Sequence, residues 1–209
     1  MPNPAQRDLG LFPLGMVLLP GERVPLHIFE PRYRALIADC TLASRPFVLS
    51  LATEDGVARI GCTAQPDALL RRFADGRMNI VVVGGERVEI VAQTDGELYL
   101  TARVRPLPDA DETVDPVVGA AVTERFRRLA ETVAGAAREP DIAPGVPLSY
   151  AVAGALELDA VTKQRLLESR SEPERLSLVQ TLLDTALDGL DRREAAAERA
   201  ATNGKVTLQ

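Results

Sequence analysis

The sequence has 209 residues, 46% hydrophobic and 26% charged, enough for one large globular domain or two small ones. No stretch approaches the ~20 unbroken apolar residues of a membrane-spanning helix, and Met1-Pro2-Asn3-Pro4-Ala5-Gln6-Arg7-Asp8 lacks the basic start and apolar run of a secretory signal. The net charge of −6 falls entirely in the second half. Residues 1–108 carry twelve Arg against twelve acids, and residues 109–209 carry twelve Lys and Arg against eighteen acids, a balance that argues against nucleic acid as a generic partner.

Residues 9–105 read as strands and turns. Leu9, Leu11, Phe12 and Leu14 are broken by Pro13 and Gly15, and the apolar run Met16 to Leu19 stops at the turn pair Pro20-Gly21. Val24 to Phe29 form an extended segment that Pro25 marks as an edge or a strand start. Pro31 suits the first turn of a helix, and Tyr33, Leu36, Ile37 and Cys40 recur at three and four after it. Strands are then expected over Phe47–Leu51, Ala58–Thr63 and Ala68–Phe73, with a hairpin turn at Asp75-Gly76. Ile80 to Val83 is apolar on both faces, and Gly84-Gly85 permits a bend or a bulge. Last, Leu98, Leu100, Ala102 and Val104 alternate with Tyr99, Thr101, Arg103 and Arg105. Many short strands with one interposed helix point to a small closed or nearly closed barrel.

Pro106 to Pro116 reads as a linker, with Asp115 as N-cap and Pro116 opening a helix whose apolar stripe is Val118, Val122, Phe126, Leu129 and Val133. Helical signals continue through Pro147–Glu157 and Asp159–Glu168. Ser171 and Glu174 have capping-box spacing before a final helix with the stripe Leu176, Val179, Leu183, Leu187 and Leu190. From Asp191 to Ala201 only charged residues and Ala occur, as on a solvated helix that frays into a tail. Two units follow from this reading: a β-rich barrel over 1–108 and a helical bundle over 109–209.

Chemistry-bearing motifs are few. His27 is the single histidine, set among apolar residues as a hydrogen-bonded structural side chain would be, and no G-x-S-x-G accompanies it. One His with Cys40 and Cys62 far apart gives no standard metal site and no C-x-x-C pair; the two cysteines read as buried reduced thiols, as in the cytoplasm. The phosphate-cradling G-x-x-x-x-G-K-[ST] is missing, since Gly204-Lys205 runs on to Val206. Glu54-Asp55 and Asp109/Asp111 read as solvated loop acids. Arg71-Arg72, beside Phe73, reads as part of a solvated face because adjacent strand residues point opposite ways.

A longer pattern is recognisable. Leu11-Phe12-Pro13-Leu14-Gly15-Met16-Val17-Leu18-Leu19-Pro20-Gly21, followed by Pro25-Leu26-His27-Ile28-Phe29-Glu30-Pro31-Arg32-Tyr33, resembles the amino-terminal substrate-binding domain of the Lon protease family. Ile60-Gly61-Cys62 and the stretch Asp75-Gly76-Arg77-Met78-Asn79-Ile80 to Arg87-Val88 are similar to that family's strand, hairpin and V-x-G-x-x-R segment. Leu166-Leu167-Glu168 with Glu174-Arg175-Leu176 fits the segment before its final helix, so the resemblance runs over roughly residues 9 to 190. The first part is also similar to stand-alone members and to the equivalent domain of cereblon.

The resemblance implies an α+β fold: a PUA-like six-stranded pseudo-barrel followed by a C-terminal α-helical bundle. It implies a non-catalytic module that binds unfolded or tagged protein segments, an adaptor in protein quality control with a protease or ATPase as partner, and no cofactor or metal. In Lon the ATPase and the Ser–Lys peptidase follow this module, whereas this sequence reaches only Gln209, so neither activity is expected. An RNA-binding PUA-like factor is the alternative, and a small-molecule hydrolase ranks third. Most matching positions read as turn glycines, prolines and core, with Phe12, Leu26 and Phe29 in the core. Glu30, Arg32 and Tyr33 are the candidate peptide-binding residues. They open a helix at one barrel edge, either as a contact surface or as an internal ion pair beside a capped helix. Gly84-Gly85 beside Ile80–Val83 offers a place for a neighbouring chain to approach the backbone. Twenty-two Arg against two Lys is a composition expected of a GC-rich bacterial genome.

Overall fold

The computed structural model describes residues 6–203. Its first half is a barrel closed by five strands. β1 (Arg7–Leu14) pairs antiparallel with β7 (Leu100–Pro106), β7 with β6 (Met78–Asp95), β6 with β5 (Ile60–Arg72), and β5 with β3 (Phe47–Thr53). β3 then runs parallel to β1, with Leu11 opposite Val48, and the ring is complete. Closure leaves these strands few open edges. A sixth strand, β2 (Arg23–Ile28), lies against the first half of β6, and β4 (Gly56–Val57) is a two-residue hairpin partner of β3.

β6 serves both parts of the sheet: its residues before Gly84 pair with β2 and those after Arg87 pair with β7, with a register shift against β5 across the Gly84-Gly85 stretch. A Cβ on Gly84 would lie 2.0 Å from the carbonyl oxygen of Leu19, and the backbone exchanges hydrogen bonds there: Gly21 N–H to Gly84 O at 2.8 Å and Gly84 N–H to Glu22 O at 2.9 Å. The close approach anticipated at this break is therefore made by the chain's own 19–22 segment. The two strands expected over 58–73 are one, β5, with register shifts near Pro66 and Leu69. Pro66 is tolerated because β3 pairs with β5 only as far as Ala64, so beyond it a missing N–H breaks no ladder on that side.

α1 (Pro31–Ala43) buries Tyr33, Leu36, Ile37 and Cys40 against the barrel, the stripe its spacing predicts. α2 (Pro116–Ala134) starts where expected, with Asp115 accepting from the Val117 N–H at 2.9 Å. α3 (Leu148–Gly154) and α4 (Ala160–Glu168) follow, α4 capped by Asp159 on the Thr162 N–H at 2.8 Å. α5 (Glu172–Asn203) buries Leu176, Val179, Leu183 and Leu187. Only half of the capping box forms: Ser171 Oγ accepts from the Glu174 N–H, while the Glu174 carboxylate takes the Ser169 hydroxyl instead. The tail beyond Asn203, with Gly204-Lys205, lies outside the described residues.

One apolar core joins the halves, holding Phe12, Leu36 and Phe47 of the barrel together with Val122, Phe126, Tyr150, Leu166, Leu176 and Leu183 of the helices. A smaller core of Leu9, Leu11, Val48, Val88, Ile90, Ala102 and Val104 lies among β1, β3, β6 and β7.

Leu98 and Val133, which spacing assigns to apolar stripes, are 65% and 69% exposed, and three further expectations fail. Phe29 is not core but 57% exposed, because the alternation that buries Leu26 and Ile28 sends His27 and Phe29 outward. His27 is accordingly exposed too and not set among apolar side chains, although it makes the expected hydrogen bond, between Nδ1 and Oδ1 of Asn79 at 2.6 Å. The third is Asp109, which is no solvated linker acid. It receives the fully buried Arg175 at 2.9 and 2.6 Å and also pairs with the buried Arg87. Arg175 further donates to Glu172, the Ser149 hydroxyl and the Ser169 carbonyl, and lies 4.4 Å from the Tyr150 ring centroid. Backbone bonds from Leu107 to Arg87 and from Ala110 to Arg170 tie down the same stretch. Buried guanidinium groups need such partners, since an unpaired charge costs several kcal/mol there.

Candidate peptide-binding groove

Glu30, Arg32 and Tyr33 meet at the start of α1. Pro31 at the first helical position needs no N–H partner, and Glu30 precedes it in extended conformation without a side-chain cap bond. Arg32 Nε donates to Glu30 Oε2 at 2.9 Å, and the same guanidinium lies 4.5 Å from the Tyr33 ring centroid. Tyr33 itself is 6% exposed, its ring stacked on Phe12 with centroids 3.9 Å apart. Burial raises its hydroxyl pKa, partly opposed by the Arg32 charge. The two charged groups thus satisfy each other, and the aromatic ring is packed inside.

The other flank of α1 borders an open groove. Ile37, Ala38, Thr41 and Leu42 line one wall, and Pro66, Ala68 and Leu69 of β5 line the other. Met78 and Ile80 of β6, both buried, close the bottom of a space of about 440 Å³. The groove exists because β3 stops pairing at Ala64, which leaves the outer edge of β5 from Gln65 to Arg72 without a strand neighbour, beside α1. Pro66, two register shifts and Arg71-Arg72 blunt that edge against strand addition. What remains is a slot for side chains. Leu42 is 89% exposed and Leu69 57%, so two leucines stand in water at its rim.

The sequence carries a signal for these residues that periodicity toward the core hides. Ala38 and Leu42 are four apart, a second stripe beside the buried one, and Leu69-Leu70 are adjacent in a strand, so one must face away from the core. At the hairpin end of β5 lies an exposed corner: His27 is 5.8 Å from Phe29 and 6.0 Å from Phe73, and Arg71 and Arg77 lie 4.6 and 5.4 Å from the Phe73 ring centroid.

The groove offers no group poised for covalent chemistry. Burial pushes the thiol of Cys40, at one end, up to about 11. Among the described residues no cluster of three or more His, Cys, Asp or Glu is placed to hold a metal ion. None of the described helices is long and apolar enough to cross a membrane.

Residues 8–185 match the family model for the ATP-dependent protease La (LON) substrate-binding domain. The chain belongs to that family. It is 26% identical over 216 residues to Lon protease 2 of Syntrophobacter fumaroxidans, covering 89% of this chain and 27% of that protein. The chain thus spans about a quarter of that relative's length. In fold, this chain is similar to the Lon N-terminal domain protein of Xanthomonas campestris, with TM-score 0.64 and 23% identity over 84% of this chain and 98% of the other. It is equally similar to the N-terminal domain of the Mycobacterium avium complex Lon protease, with TM-score 0.65 and 23% identity over 85% and 98%. The α+β fold anticipated from the sequence is the fold of these bacterial relatives. The matched family is the substrate-binding part of Lon, and the match contains no protease or ATPase domain.

Proposed function

We propose that this Lon substrate-binding domain is a non-catalytic module that holds apolar segments of unfolded or tagged proteins in the groove between α1 and β5, as an adaptor serving a protease or ATPase. The observation that carries this reading is the pair Leu42 and Leu69, exposed on facing walls above a bottom of Met78 and Ile80. Leucines kept in water beside a concave apolar space mark an interaction site, because burying each one contributes ~1.5–3 kcal/mol when a partner covers it. Membership in a substrate-binding family supports the same reading. Glu30, Arg32 and Tyr33 enter it as the anchor of α1: the ion pair and the Phe12 stack hold the helix that forms one wall. A cytoplasmic location goes with it, supported by two unpaired buried cysteines. Nothing in the fold or the relatives favours the RNA-binding alternative.

The test is binding of a reduced and alkylated, permanently unfolded protein to the wild type and to Leu42→Lys/Leu69→Lys. Both positions are exposed, so circular dichroism is expected to show an unchanged fold. Affinity is expected to drop by at least about tenfold. Equal affinity of the folded double variant would move the site elsewhere.

A further inference from the structure

The groove has a charge pattern as well as an apolar lining. Arg72 lines one end. Past Thr41 and Pro66 the groove continues into a smaller space of about 240 Å³ lined by Cys40, Ser44, Arg45 and Gln65, so a second arginine stands at the other end. Neither Arg45 nor Arg72 has an ion-pair partner among the described residues. The single acid on each flanking element has a partner: Asp67 of β5 pairs with Arg23, while Asp39 of α1 accepts the neutral Tyr99 hydroxyl at 2.8 Å and keeps its charge. The slot is therefore apolar in the middle with an arginine outside any ion pair at each end, the Arg45 end also having the Asp39 carboxylate one residue before Cys40.

We propose that the groove selects extended peptide segments whose apolar core is flanked by carboxylates, Arg45 and Arg72 acting as specificity-determining contacts. This rests on the groove being the peptide site and adds the chemistry of its ligand. Apolar burial supplies the affinity, while the flanking charges decide which segment is preferred and in which salt. Lysine flanks meet like charge at both ends and are rejected.

The experiment titrates three synthetic peptides that share a Val-Leu-Phe-Leu-Val core and carry Glu, Ser or Lys flanks, read by fluorescence anisotropy. Wild type is expected to bind the Glu-flanked peptide about tenfold tighter than the Lys-flanked one, with Ser between. The preference shrinks between roughly 0.02 M and 0.5 M salt, because exposed charges are screened. Arg45→Glu/Arg72→Glu, both exposed positions, is expected to keep its circular dichroism spectrum and to invert the order. Equal binding of all three peptides to wild type overturns the charge selection and leaves the apolar groove standing. No binding of any peptide overturns both. A single-stranded RNA oligomer binding more tightly than every peptide, and lost in the same variant, also overturns it and assigns the arginines to nucleic acid.

Discussion

At the scale of single residues, burial decides the chemistry that the side chains show. Cys40 and Cys62 are both buried; burial raises the Cys40 thiol to about 11 against a smaller opposing effect of Arg45, and full burial raises Cys62 further. Neither is expected to react with iodoacetamide at about pH 8 in the folded protein, and both are expected to react in urea. Labelling of either thiol under native conditions, counted by mass spectrometry, would contradict their placement. Glu89 behaves in the opposite sense. The hydrogen bond from Arg105 holds its carboxyl below the usual value; burial opposes this, and the pairing with Arg59 adds to it. A carboxyl whose pKa is lower folded than unfolded contributes stability that is complete above its ordinary value of 4.5 and lost as pH falls through the folded value. Glu89→Gln is therefore expected to lower the urea midpoint at about pH 6 and to lose less than wild type on going to about pH 3. Parallel declines in the two proteins would show that Glu89 carries no such linkage.

At the scale of elements, the helix starts were the most legible part of the sequence. Asp115-Pro116 and Asp159 stand where a capping oxygen and a proline have one local use, so neighbouring residues suffice to place them. The apolar stripes of α1 and α5 were equally readable, since their spacing depends on a single helix. Legibility ended where a residue's surroundings come from distant chain. Asp109 looks like any linker acid until Arg87 of β6 and Arg175 of α5 are brought to it. Phe29 looks like core until β2 proves to lie outside the closed ring, with one face in water. The groove was hidden for the same reason. Leu42 and Leu69 are 27 positions apart, and only the early end of the β3 pairing opens the space between them. Asp109→Ala leaves Arg175 and Arg87 buried with fewer counter-charges, so a loss of about 3 kcal/mol in unfolding free energy is expected. A chemical denaturation curve within ~0.5 kcal/mol of wild type would mean that the clamp is replaceable by water.

At the scale of the whole molecule, the barrel and the helices share one apolar core, the Asp109 ionic cluster and the buried Lys163–Glu22 pair, while the groove lies on the barrel side. The fold thus holds α1 and β5 in place on either side of it: Tyr33, Leu36 and Ile37 anchor the helix, and the β6 ladder anchors the strand. A preformed slot of this kind loses little ordering entropy when a segment enters it. Substitutions in α5 on the exposed face are accordingly expected to leave peptide affinity unchanged. The most direct measurement is hydrogen–deuterium exchange with and without a saturating unfolded protein. Slowed exchange is expected in two separate stretches, 37–45 and 65–72, with the helices after residue 116 unaffected. Protection confined to α2 or α5, with 37–45 and 65–72 exchanging as in the free protein, would contradict the placement of the site in this groove.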